Sequence, residues 1–187
     1  LTVINTNVAN LSEVARQHGP FDFILADLGV SSMQIDNPER GFSYKIDGPL
    51  DLRLNPQEGV SAAERLTELS EEEFAWMMIE NSDEPYAHEI AAVVMREIRS
   101  GKKVDTTTRL RELIEKALIK IPEKERKEAV KKSCQRTFQA LRIDVNSEFE
   151  VLYSFMEKLP GVLKPGGRVA ILTFHSGEDR LVKKFLK

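Results

Sequence analysis

FDFILADLGVSS, residues 21–32, is the stretch from which the rest of the chain can be read. A run from Phe21 to Ala26, apolar except for Asp22, stops on Asp27, and Leu28, Gly29 and two serines follow that suit neither strand nor helix. A second apolar run, Arg168-Val-Ala-Ile-Leu-Thr-Phe174, stands near the other end of the chain. Uninterrupted Val, Ile and Leu runs belong to strands covered on both faces, the pattern of a parallel sheet. In such sheets ligands bind beyond the carboxyl ends of the strands, where Asp27 and Phe174-His175 both fall. Asp27 is thus either a turn cap or a site residue. Gly29 favours the second reading, because a residue without Cβ lets backbone approach a ligand closely. His175 divides in the same way between a backbone-bonded strand end and a site residue.

Outward from this stretch the texture changes twice. Leu1 to Ile4 reads as a strand, a helix is predicted near 10–17, and Gly19-Pro20 breaks it before strand 21–27. Residues 36–55 are rich in Gly, Pro, Asn and Asp and carry no period, which makes them a long loop. From about 61 to 159 the pattern is helical. Ser61 with Glu64 and Ser70 with Glu73 are capping boxes, Pro85 suits a first helical turn, and Gly101 ends that helix. A further helix spans about 107–120. Phe138, Leu141, Val145, Phe149, Leu152 and Phe155 then follow 3- and 4-residue steps, one face of a long helix over 134–159. LKPGG makes a turn, strand 168–174 follows, and Ser176 opens a last helix, most simply capped by Ser176 with Asp179. The architecture expected is an α/β core of residues 1–55 and 136–187, interrupted by an all-helical insertion of residues 56–135.

Composition narrows the chemistry. Of 187 residues, 41% are hydrophobic and 30% charged, an ordinary globular balance. A single Cys134 excludes a disulfide framework and a thiolate zinc cluster, and the three histidines are not at metal-ligand spacing, so no metal is expected. No apolar run approaches the roughly 18 residues of a membrane span, and none reads as a signal peptide. A net charge of −3 provides no global field toward nucleic acid, so any RNA affinity must come from a local patch. The run Lys120 to Arg136, seven Lys/Arg against three Glu, is either that patch or a solvated helix face. Trp76 with Met77, Met78 and Ile79 reads as core of the insertion, and Cys134 as a small packing residue.

Taken together, DLGVSSMQID (27–36), ERGFSYKIDGPLDLR (39–53), RTFQALRIDVNSE (136–148) and LKPGGRVAILTFHSGEDRLVK (163–183) resemble the cytosine-N4 methyltransferases of small-subunit ribosomal RNA, the RsmH or MraW family. The four motifs keep the family's order along essentially the whole chain. The resemblance implies a Rossmann-like class I methyltransferase sheet, S-adenosylmethionine (SAM) as methyl donor without a metal, and a decoding-centre cytidine of 16S rRNA as acceptor. It implies a cytoplasmic bacterial protein or an organellar homologue, with no membrane partner, and leaves homodimerisation open. The exocyclic amine of cytosine is a poor nucleophile, so the protein mainly positions and polarises. By resemblance Asp27, Asn146 and His175 are catalytic candidates, and Val8, Asp27, Gly29 and Gln34 are cofactor contacts. Arg136, Arg142, Asn146 and the segment His175–Arg180 would border the nucleotide. Lys127, Lys131 and Lys132, with Lys183 and Lys184, would meet phosphates, each interaction salt-dependent. The target base must be unstacked or single-stranded to reach a pocket.

Departures from the family pattern shape the expectation. The glycine-rich motif after the first strand and the acidic end of the second do not occur in these residues, and residue 1 falls at what would be the third strand. The resemblance is therefore to a portion of a methyltransferase, expected to bind SAM poorly alone. Lys132-Ser-Cys-Gln135 stands where the family commonly has His-Pro-Ala, Gly177 where it has Leu, Asn55 where it has an acid, and Val8 where it tends to an aromatic residue. The competing expectation is a non-catalytic RNA-binding or ribosome-assembly module on the same fold.

Overall fold

The computed structural model describes residues 1–187 and divides them into two compact units, Leu1–Gly29 with Ser147–Lys187, and Val30–Asn146. The first is a mixed α/β unit. Strand β1 (Phe21–Asp27) pairs in parallel with β2 (Leu163–Leu172), in register from Phe23 opposite Arg168 to Asp27 opposite Leu172. One face of this sheet is covered: Ala26, Ile24, Val169 and Ile171 pack on Leu152, Phe155, Met156 and Leu159 of helix α8 (Glu148–Val162) and on Val182 of α9 (Ser176–Phe185). The alternate residues Phe23, Leu25 and Leu172 are exposed, so the both-faces-covered expectation holds for one face only. Helix α1 (Leu11–His18) precedes β1 and contributes Leu11 to the same core.

Three predicted elements of this unit differ. Residues 1–7 form no strand, because Leu1 and Val3 stand exposed with no neighbouring strand to pair with. The second strand begins at Leu163 rather than Arg168: Lys164 anchors it through an ion pair of 2.8 Å to Asp22, and the irregularity between Phe21 and Phe23 absorbs the Pro-Gly-Gly segment. The cap of α9 is His175, whose Nδ1 accepts the Glu178 N–H at 3.4 Å, and not Ser176.

The second unit is helical: α2 (Ser32–Asp36), α3 (Ala62–Glu68), α4 (Glu71–Ser82), α5 (Ala87–Arg99), α6 (Thr107–Ala117) and α7 (Glu123–Val145). Both predicted capping boxes form, with Ser61 and Ser70 accepting the N–H of Glu64 and Glu73 while those carboxylates take the cap N–H in return. Phe74 and Met78 of α4, Ile90 and Val94 of α5, Leu110 and Ile114 of α6 and Leu141 of α7 are each less than 2% exposed and form one core. These are the 3- and 4-residue steps of apolar helix faces. Trp76 departs from its expected place in that core. It lies about half exposed beside Met77, while Met77 and Met78 are buried.

The compact units differ in their bounds from the divisions expected at residues 55 and 136. Residues 36–55 belong with the helices because Leu50 and Leu52, both 1% exposed, enter the helical core and Pro49 bridges Thr106. The expected single helix over 134–159 is two, since Ser147 takes a left-handed φ of 47° between α7 and α8.

Candidate functional site

At the carboxyl end of the parallel sheet the chain leaves β1 through Asp27, Leu28 and Gly29 and leaves β2 through Thr173, Phe174 and His175. The Leu28 N–H still reaches the Leu172 carbonyl at 3.3 Å, so both departures are held in register. Asp27 presents an exposed carboxylate there. Gly29 has φ +93°, a conformation that side chains with Cβ rarely adopt, and a Cβ there would sit 3.4 Å from the Phe174 ring. Val8, in a 3-10 turn over Val8–Asn10 of the same unit, is half exposed.

His175 is tightly engaged. Because its Nδ1 accepts the Glu178 N–H, a neutral ring carries its proton on Nε2, which lies 3.3 Å from Glu178 Oε1 without hydrogen-bond alignment. The other Glu178 oxygen accepts the Phe174 N–H at 2.9 Å. Glu148, His175 and Glu178 bring ligating atoms within 4.8 Å of one another. Glu178, 4% exposed, lies in the segment His175–Arg180 expected at the nucleotide but is not singled out by the sequence, although the His-x-x-Glu spacing at the helix start is a signal for it. The Phe149 ring packs beside His175, centroids 6.0 Å apart, and a Cβ on Gly177 would fall 2.7 Å from its Cζ. The glycine at that position is what Phe149 requires.

In the helical unit, segment 40–54 is an ordered, densely bonded loop. Arg40 donates to the Arg53 and Leu54 carbonyls at 3.0 and 2.8 Å, and Arg53 grips Asp51 through two bonds of 2.8 and 2.9 Å. Burial would raise the Asp51 pKa, but the Arg53 hydrogen bonds and charge outweigh it and hold the carboxyl below its ordinary value. Asn146, a catalytic candidate by sequence, spends its whole amide here. Oδ1 accepts the Leu54 N–H at 2.7 Å, and Nδ2 donates to the Leu52 and Arg142 carbonyls at 2.8 Å each. Gln34 is likewise occupied, its Oε1 accepting the Ser31 N–H at 2.9 Å as the return bond of a capping box on α2. The structure gives Asn146, Gln34 and His175 local hydrogen bonds beside the ligand roles that the sequence led us to expect of them.

From Lys124 onward the basic run lies on α7. Lys124, Lys127, Lys131 and Lys132 are exposed; Lys124 and Lys127 make no ion pair, and Lys131 and Lys132 reach Glu128 only at 4.0 and 3.8 Å. Arg126 turns back to the Ile121 carbonyl, and Arg136 is half-buried. Cys134 is buried, as expected of a packing residue, and burial pushes its thiol up to about 12.

The model of the MraW methylase family matches residues 1–187. The ribosomal RNA small subunit methyltransferase H 1 of Lachnoclostridium phytofermentans is 67% identical over 187 residues, 100% of this chain and 51% of that protein. The protein of the same name from Agathobacter rectalis is also 67% identical, over 100% of this chain and 54% of its own length. The methyltransferase H 2 of Alkaliphilus metalliredigens is 60% identical over 184 residues, 98% of this chain and 53% of that protein. The chain spans about half the length of the curated relatives it matches.

Proposed function

Since the chain belongs to the MraW methylase family, we propose that it serves SAM-dependent N4-methylation of a cytidine in 16S rRNA of the small ribosomal subunit. The observation that carries this reading is the exposed Asp27 carboxylate at the carboxyl end of a parallel strand, beside the left-handed Gly29 turn. The α/β unit is on this reading part of a Rossmann-like class I methyltransferase sheet. The helical residues 56–135 are its RNA-recognition insertion.

The residues present fit part of the donor. SAM, when bound, supplies an electrophilic methyl on a sulfonium. An exposed carboxylate at Asp27 can accept a hydrogen bond from an amine and offset positive charge nearby, and Gly29 permits close backbone approach. Val8 offers an apolar contact without a ring. No glycine-rich strand-to-helix loop occurs within residues 1–187, so the cradle for the donor's methionine end is not drawn from these residues. Gln34 retains its Nε2 donors for a ligand. Asn146 acts by holding the Leu52–Leu54 backbone, and His175 by fixing Glu178 and Phe174. Arg136 and Arg142 are assigned to the nucleotide, and Lys127, Lys131 and Lys132 to phosphates.

Incubating a protein of full family length that carries residues 1–187 with methyl-labelled SAM and small ribosomal subunits tests the reading. Labelled N4-methylcytidine in digested 16S rRNA is the expected product. RNA binding with no methyl transfer and no SAM binding would replace it with the non-catalytic module.

A further inference from the structure

Helices α6 and α7 flank an open groove of about 770 Å³, within the size range of small-ligand sites. Its apolar wall is Tyr44, Ile119, Val130 and Cys134. Tyr44 is held edge-on by Phe138, centroids 5.9 Å apart, which fixes the plane of its ring. Ile119 is 59% exposed, an aliphatic side chain at the groove with little cover. Charge in the groove is lopsided in a specific way. Two of its three acids are already answered, Glu112 by Arg109 at 2.8 Å and Glu115 by Arg111 at 3.3 Å, while Glu123 makes no ion pair. Lys116 and Lys127 line it with no ion pair, and Arg126 is bonded only to a carbonyl.

An apolar wall with a fixed ring and a rim on which Lys116 and Lys127 stand unpaired suit a flat aromatic body carrying an anion. We propose that the α6–α7 groove is a subsite for one unstacked nucleotide of an RNA strand, separate from the methyl-acceptor position. The base lies against Tyr44, Ile119 and Val130, and its phosphate meets Lys127 and Lys116. The proposal rests on the RNA-binding reading above, and deepens it by giving the basic face of α7 a place to hold a base as well as a backbone. Aromatic and apolar walls of this kind accept bases with little sequence preference, whereas phosphates contribute the salt-dependent part.

The test is fluorescence anisotropy of the protein with a labelled, unstructured RNA dodecamer, comparing wild type, Ile119→Glu, Ile119→Met and Lys124→Gln/Lys132→Gln. Photo-crosslinking of the same RNA is mapped by mass spectrometry. Ile119 is exposed, so its substitution is not expected to alter the melting temperature. The expected result is that Ile119→Glu weakens binding at least about tenfold while Ile119→Met binds as wild type, with crosslinks on peptides carrying Tyr44 or Val130. Wild-type affinity in Ile119→Glu, with crosslinks confined elsewhere and binding still weakened in the lysine variant, overturns the groove and leaves the RNA reading standing. No RNA binding by wild type overturns both. Displacement of the RNA by polyglutamate as strongly as by unlabelled RNA overturns the nucleotide assignment in favour of an acidic peptide.

Discussion

Asn146 Nδ2 donates to the carbonyl of Leu52 at 2.8 Å, and Leu52 is a non-glycine residue at φ +65° with its side chain 1% exposed. A left-handed leucine costs of order 1–2 kcal/mol and persists only where its surroundings hold it. Here the holders are the buried side chain, the Leu52 N–H bonded to the Arg40 carbonyl at 3.1 Å, and the Asn146 amide. A helix C-terminus and a loop more than 90 residues earlier are thereby tied into one rigid piece.

Replacing Asn146 with Ala removes three hydrogen bonds and leaves the Leu54 N–H and Leu52 carbonyl to find others. A loss of about 1–3 kcal/mol in urea unfolding of the helical unit is expected. An unchanged midpoint would show that water replaces the amide at no cost.

Acid should unfold the helical unit in a defined window. Glu64 and Glu73 are held below their ordinary values by the cap N–H groups of Ser61 and Ser70, Glu97 by Lys102 and Arg109, and Asp51, against its burial, by Arg53. A carboxylate depressed by folding contributes its stability fully above its unfolded value, near about 4, and loses it as pH falls through the folded value. Melting temperature should therefore be flat above about pH 5 and fall below about pH 4. Asp51→Asn should lower it at pH 7 and shallow the acid limb; a parallel acid limb would remove Asp51 from the account.

Cys134 should be inert in the folded protein. Its thiol is buried and pushed up to about 12, so almost no thiolate forms at pH 8. Reaction with a disulfide reagent should follow unfolding of the helical unit, with denaturant dependence matching circular dichroism. Rapid labelling under native conditions would mean that α7 opens locally.

The exposed lysines of α7 should set the salt dependence of RNA binding. Changing Lys124, Lys127, Lys131 and Lys132 to Gln, while leaving Arg126 on the Ile121 carbonyl, should weaken binding. It should also flatten the slope of log affinity against log salt by about 0.7 for each phosphate no longer neutralised. A slope equal to wild type returns this face to plain solvation.

Much of the fold is legible in the sequence, for identifiable reasons. The parallel pair β1–β2 is readable because short Val/Ile/Leu/Phe runs bounded by Gly, Pro and Asp favour strands over helices, and Ser61–Glu64 and Ser70–Glu73 because a capping box is a purely local bond pattern. The break at Ser147 is not readable. Both α7 and α8 bury a face, so the 3- and 4-residue steps run on through a single left-handed residue that periodicity cannot register. The burial of Leu50 and Leu52 escapes for the opposite reason: a loop without period hides residues that enter a core. For the candidate site, position at a strand end points to Asp27. The local bonds that occupy Asn146, Gln34 and His175 depend on partners such as Leu52 and Leu54, far away in sequence, or on caps that compete with ligand contact.

The central claim, that the sheet end at Asp27 serves methyl transfer, is tested most directly within a protein of full family length, by comparing wild type with Asp27→Ala in labelled-methyl transfer from SAM to the small ribosomal subunit, alongside their melting temperatures. Asp27 is exposed, so the variant should melt within a few degrees of wild type. The account predicts transfer reduced at least about a hundredfold, the scale of removing one electrostatic interaction at a reacting centre. Near-normal transfer by a folded Asp27→Ala protein would contradict it.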